Sequence, residues 1–151
     1  MAIRNVIDWD DERFRKISRE VTKFDERLWT LLDDMRETLE KVQGYGCAGV
    51  HLGVLKRAVV VLADDGVIEL INPVISHKSD EMQVVTEGSI AYGAPRGEVR
   101  RPRQVTVNAQ DRFGKPVRVT GEDFLAATLC HEIDHLDGIL FSDKIIEGNG
   151  M

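Results

Sequence analysis

Residues 120–138 read Thr120-Gly121-Glu122-Asp123-Phe124-Leu125-Ala126-Ala127-Thr128-Leu129-Cys130-His131-Glu132-Ile133-Asp134-His135-Leu136-Asp137-Gly138. Thr120 stands three residues before Asp123, the spacing of a capping box, and Gly138 is a C-terminal stop, so the pattern predicts a helix over 121–136. Leu125, Leu129, Ile133 and Leu136 share one face of that helix, and Phe124, Ala127, Thr128, His131 and His135 share the adjoining one. A helix apolar over so much of its circumference is central and largely buried. Within it, His131-Glu132-Ile133-Asp134-His135 is an HExxH pattern. Positions i and i+4 lie one turn apart on the same face, so both imidazoles reach one metal ion. Glu132, beside the first imidazole, is placed to take a proton from a metal-bound water and deliver it to a leaving amine. Three fixed positions in five also arise by chance. Burial favours the metal reading, because two buried imidazoles and a carboxylate need partners that a metal supplies.

Upstream of this helix the pattern is mostly that of strands. Residues 58–63 are a continuous apolar run, Asp64-Asp65-Gly66 is a turn and 67–71 answers it, which predicts a β-hairpin. Strand-like runs follow at 82–85 and 104–108, and a second hairpin turns through 111–115 into 117–119. Before them, Leu28, Leu31, Leu32, Met35, Leu39 and Val42 fall at helical spacing, with Asp25 as N-cap and Gly44 as stop. A helix, several short strands and a helix give an α+β fold of mixed or antiparallel strands and hairpins packed around the C-terminal HExxH helix. Ile3, Val6, Ile7 and Trp9 are the apolar residues able to pin a charge-dense N-terminal arm onto this body.

With 151 residues, no internal repeat and no linker, residues 1–151 are expected to form a single domain. The formal charge of -6 opposes direct nucleic-acid binding, which needs clustered Lys and Arg in excess. No apolar run approaches the roughly 18 to 20 residues of a membrane span, and the start lacks a secretory core, so a cytoplasmic protein is expected. Cys47 and Cys130 make no disulfide framework and are expected to be free thiols, Cys47 as a small buried hydrophobe.

A catalytic metal usually takes three protein ligands and one open position, so a third ligand must come from elsewhere. Two Gly-containing stretches qualify: Gly44-Tyr45-Gly46-Cys47-Ala48-Gly49-Val50-His51 and Glu87-Gly88-Ser89-Ile90-Ala91. Glycine there permits positive φ and close backbone approach to a ligand. Together with Cys130-His131-Glu132-Ile133-Asp134-His135 and Leu136-Asp137-Gly138, these segments resemble the GxGxAAxQ, EGCLS, QHExDH and LxG motifs of the peptide deformylases, in the same order and at about the same spacing. Ile71-Asn72-Pro73, Arg96-Gly97-Glu98-Val99 and Arg101-Pro102 also resemble that family, and the likeness runs over roughly residues 5–146.

The resemblance implies a metal-dependent hydrolase that removes the formyl group from N-formylmethionyl peptides, with the N-terminus of a nascent chain as partner. Its cofactor would be one divalent metal, Fe(II) or Zn or Ni as substitutes. By the same resemblance His131, His135 and the motif-two position, Ser89, are metal ligands, and Glu132, His51 and Ile90 are catalytic. Val85, Phe124, Ala127 and Thr128 form the methionine pocket, and Gly44, Gly46, Gly88 and Arg96 bind substrate. Arg100, Arg101 and Arg103 read as a solvated strand face.

The chain departs from the family at four places. Ser89 stands for the motif-two cysteine, and a neutral hydroxyl is a poor ligand that retains metal less well. His51 stands for the glutamine that donates to the substrate oxygen, and losing such a donor typically costs about a hundredfold to a thousandfold in rate. Cys130 replaces the usual Gln, and the run Ile90-Ala91-Tyr92-Gly93-Ala94-Pro95 departs from the usual motif-two continuation. His51 either supplies the third ligand in place of Ser89 or only hydrogen-bonds within the site. The alternative to an active hydrolase is an impaired paralogue of the same fold that binds peptides or regulates. A zinc endopeptidase rests on HExxH alone, since no downstream third-ligand pattern follows Gly138.

Overall fold

Residues 58–63 form an unbroken apolar run because the strand they make lies between two buried cores. The computed structural model describes residues 5–146. In chain order these form a 3-10 turn (Glu12–Arg15), α1 (Glu26–Val42), β1 (Gly46–Ala48), a 3-10 turn (Gly49–Leu52), β2 (Ala58–Ala63), β3 (Gly66–Lys78), β4 (Met82–Glu87), β5 (Gly97–Pro102), β6 (Gln104–Gln110), β7 (Pro116–Glu122), α2 (Phe124–Leu136) and a 3-10 turn (Phe141–Lys144). A five-stranded antiparallel sheet has the order β1-β2-β3-β6-β7, and β4 pairs with β5 as a separate antiparallel ribbon. The expected α+β class holds.

The sheet buries both faces at β2. Ala58 and Val60 join Leu28, Leu31, Leu32, Met35 and Leu39 of α1. Val59 and Val61 join Ala126, Leu129, Cys130, Ile133 and Leu136 of α2. Period-two alternation therefore sends alternate residues into two different cores instead of into core and solvent. Both helices are where their periodicity places them, and every residue from 126 to 133 is buried.

Helix ends follow local chemistry, with two corrections. Asp25 caps α1, its carboxylate accepting from the N–H groups of Arg27 and Leu28. The left-handed residue that ends α1 is Gln43, at φ 54°, one position before the expected Gly44. The capping box at Thr120 does not form. Strand β7 runs on through Glu122, paired to Gln104 of β6, and the Thr120 hydroxyl lies 3.0 Å from that of Thr106, so α2 begins only at Phe124. The strand ladder satisfies the backbone that a helix would have used. Gly138, at φ 72°, does stop α2. A Cβ there would lie 2.7 Å from the carbonyl oxygen of Arg15.

The N-terminal arm docks as expected of Val6, Ile7 and Trp9, which pack on the α2-side core; Ile3 lies outside the described residues. The Ile7 N–H donates to the carbonyl of His51 at 2.9 Å and the Trp9 N–H to that of Tyr92 at 2.9 Å. Both cysteines are buried free thiols, Cys47 in the α1-side core and Cys130 in the other. No helix among the described residues is long and apolar enough to cross a membrane.

Candidate metal centre

Helix α2 carries His131, Glu132 and His135 beneath a cavity of about 620 Å³. Their burial sets the chemistry, since polar atoms withdrawn from water must find partners or remain available to a ligand.

His131 is held by charge. Its Nδ1 lies 2.7 Å from Oε1 of Glu87, the last residue of β4. Glu87 accepts two bonds from Arg101 of β5, at 2.7 and 2.8 Å, and Arg101 donates a third, at 2.8 Å, to Asp134. Glu87 and Arg101 are both buried. Burial presses the Glu87 carboxyl upward, but its bonds to Arg101 and His131 outweigh it and hold the group below the usual carboxylate range. Burial likewise presses the His131 imidazole down, and the carboxylates of Glu132 and Glu87 raise it on balance. A carboxylate on Nδ1 leaves Nε2 of neutral His131 as the free ligand atom.

His135 is held by shape. Neither ring nitrogen has a hydrogen-bond partner, although both are buried. Phe14 and Trp9 pack on the imidazole with ring centroids 5.3 and 6.4 Å away, and the rings of His51 and His131 stand 4.6 and 5.0 Å from it. Burial and the neighbouring imidazoles drive its pKa well below the ordinary value, so it is neutral. Glu132 Oε1 is the other buried atom of the site without a hydrogen bond, with His51 Nδ1 3.9 Å from it. Burial pushes the Glu132 carboxyl up to about 7.

His51, in the 3-10 turn after β1, is 1% exposed and lowered to about 3, chiefly by burial. Its Nδ1 accepts the N–H of Ala48 at 3.0 Å, so the neutral ring carries its proton on Nε2, which faces Ser89 Oγ at 3.4 Å. Among the described residues, ligand atoms of His51, Glu132 and His135 lie within 4.8 Å of one another and form the group able to close on one ion. The tautomer limits what His51 does in that group. A protonated Nε2 is neither a ligand nor the base that a Ser–His nucleophile requires.

Most sequence-predicted residues meet at the cavity. Gly44 and Gly46 bring the loop after α1 to its wall, Val85, Gly88, Ser89 and Ile90 bring the end of β4, and Phe124, Ala127 and Thr128 bring α2. Arg96, an exposed side chain, lines it beside Gly88. His51 and His135 are not among the residues that line the cavity. The glycines act by size, not by dihedral angle. Gly44, Gly46 and Gly88 all lack positive φ, and a Cβ on Gly46 would stand 2.6 Å from Oε2 of Glu132. Ile90 lends no side-chain chemistry and packs against the α1-side core.

Arg101 is the main correction. It is 2% exposed and paired, whereas Arg100 on the same strand is exposed. Alternation from buried Val99 puts position 101 on the inner face, a signal present in the sequence; its partners Glu87 and Asp134 come from other elements and carry no local mark. The aromatic residues Phe14 and Phe141, the latter stacked on His131 at 5.3 Å, were likewise not singled out.

A family model described as polypeptide deformylase matches residues 3–149. A peptide deformylase of Caldicellulosiruptor bescii is 50% identical over 97% of this chain and 87% of its own length, and one of Alkaliphilus metalliredigens is 49% identical over 97% and 99%. Among solved structures, a peptide deformylase from Legionella pneumophila superposes with a TM-score of 0.90 at 40% identity, over 97% of this chain and 88% of that one. The Thermotoga maritima peptide deformylase gives 0.92 at 31%, over 97% and 99%.

Proposed function

The chain belongs to the polypeptide deformylase family, and from that premise we propose that it is a single-domain, metal-dependent hydrolase that removes the formyl group from N-formylmethionyl peptides. One observation supports a metal here above others: both nitrogens of buried His135 and Oε1 of buried Glu132 make no hydrogen bond, beside a His131 ring whose outer nitrogen is already held by Glu87. His131 and His135 would hold the ion, two protein ligands where three were expected. Such an ion, Fe(II) or Zn or Ni in its place, would polarise the formyl carbonyl and make a water acidic enough to attack at neutral pH.

The chain's own residues supply the rest. Glu132, with a pKa near 7, is matched to accept the proton of the attacking water and to return it to the leaving amine at neutral pH. Gly46 lets the strand backbone pass against Glu132, where a side chain would displace the carboxylate. Val85, Ala127 and Thr128 line an apolar recess suited to the methionine side chain, and the Tyr45–Phe124 pair, with rings 4.8 Å apart, covers its rim. The partner is a formylated peptide, the N-terminus of a nascent chain, in the cytoplasm. A peptide-binding module without turnover is not favoured, because relatives sharing about half of all residues carry the deformylase name.

Purification without oxygen in Fe(II), followed by hydrolysis of a formylmethionyl peptide, tests the assignment. Turnover in the wild type that Glu132→Gln abolishes is the expected result. A wild type that binds one equivalent of metal and hydrolyses no formyl peptide overturns it.

A further inference from the structure

The oxygen of Ser89 is fully occupied as an acceptor. A hydroxyl has two lone pairs and one proton. In this site Ser89 Oγ faces Nε2 of His51 at 3.4 Å and accepts the backbone N–H of Ala91 at 3.1 Å. The donor in the first contact is His51, because the Ala48 N–H occupies Nδ1 and leaves the ring proton on Nε2. Both lone pairs are thus engaged, and no described residue accepts the hydroxyl proton. Ser89 lines the cavity, with Glu132 and His131 lining it too.

We infer that Ser89 is a hydrogen-bond donor to the formyl oxygen of the substrate and not a metal ligand, with His51 as the positioning residue that fixes the hydroxyl's direction. The chemistry is consistent on each side. A neutral hydroxyl whose lone pairs are taken has nothing to offer a cation, while its proton is suited to an oxygen that gains negative charge as the carbonyl is attacked. Ser89 lines the cavity and His51 does not, so His51 acts through its contact with the Ser89 hydroxyl. Two departures from the family pattern thereby become one device. The inference deepens the hydrolase reading and rests on it for the identity of the substrate.

The test separates ligand from donor in the full-length protein with Ser89→Ala and Ser89→Thr. Zn(II) affinity is measured by chelator competition and hydrolysis by steady-state kinetics on a formylmethionyl peptide. The expected result is unchanged Zn(II) affinity in both variants, a kcat lowered by about a hundredfold in Ser89→Ala with KM little altered, and recovery in Ser89→Thr. A loss of Zn(II) affinity of about tenfold or more in Ser89→Ala would make the residue a ligand and overturn the inference. An unchanged kcat would overturn it as well. Should the wild type hydrolyse nothing, the hydrolase reading fails, and calorimetry on the Zn(II)-loaded protein decides the donor separately. Tighter binding of the formylated peptide than of its unformylated counterpart, lost in Ser89→Ala, supports the donor; equal binding by the wild type, or a preference that Ser89→Ala keeps, removes it.

Discussion

His131 and His135 stand one turn apart on the same helix and are held by opposite means. Around His131 lies a buried chain of ions in which Asp134 and Glu87 flank Arg101, and Glu87 takes the imidazole nitrogen. Around His135 lie Phe14, Trp9 and the other two imidazoles, with no hydrogen bond to either nitrogen. A directional charge fixes one ring and leaves its other nitrogen basic, whereas packing fixes the other ring and leaves both nitrogens uncommitted. Two ligands on one scaffold can therefore be disturbed independently.

Arg101→Met should have the largest effect on this contrast. It leaves buried Glu87 with His131 alone and Asp134 with only Lys144, 3.6 Å away, and removing one partner of a buried ion cluster costs about 3–5 kcal/mol, read as a lowered urea midpoint. Glu87→Gln should come next. It keeps a bond to His131 Nδ1 but removes its charge, and metal affinity should fall by about 10- to 100-fold in a chelator competition. On the aromatic side, Phe14→Leu keeps most of the volume and should cost less than about 1.5 kcal/mol, with a smaller change in metal affinity than Glu87→Gln. The reverse ranking of those two variants in metal affinity would dissolve the distinction drawn between the rings.

The smallest expected effect comes from an ion cluster remote from the site, where Glu69 accepts from Arg36 and Arg112 and ties β3 to α1 and to the β6–β7 turn. Burial raises the Glu69 carboxyl, and the two arginines outweigh that and hold it below its ordinary value of 4.5. A depressed folded-state pKa stabilises above the unfolded value and is lost as pH falls through the folded one. Glu69→Gln should therefore cost about 1 kcal/mol near pH 7, and the gap from wild type should close as the pH drops below 4.5. Denaturation midpoints at several pH values check it.

Much of this was readable along the chain because it is local. The Asp25 cap, the apolar face of α1, the Gly66 turn and the His131–His135 spacing each depend on residues within a turn or two of one another. What was not readable depends on partners far away. Thr120 and Asp123 meet the spacing of a capping box, yet the pairing of β7 with β6 decides their conformation. Strand β1 is three residues long, too short for alternation to register. Arg101 reads as one of several arginines on a solvated strand until Glu87 and Asp134 converge on it. Ser89 and His51 were recognisable as departures, but their relation rests on the Ala48 N–H that chooses the imidazole tautomer.

The docked N-terminal arm has a consequence in time. Phe14 is made 121 residues before His135, and the two meet at ring-contact distance. Contacts between such distant segments form late, after the intervening chain has collapsed. Until residue 135 has been made, Phe14 has no His135 to pack against. A protein proposed to act on nascent chains would thus lack the activity until its own α2 has been made and has closed on the docked arm.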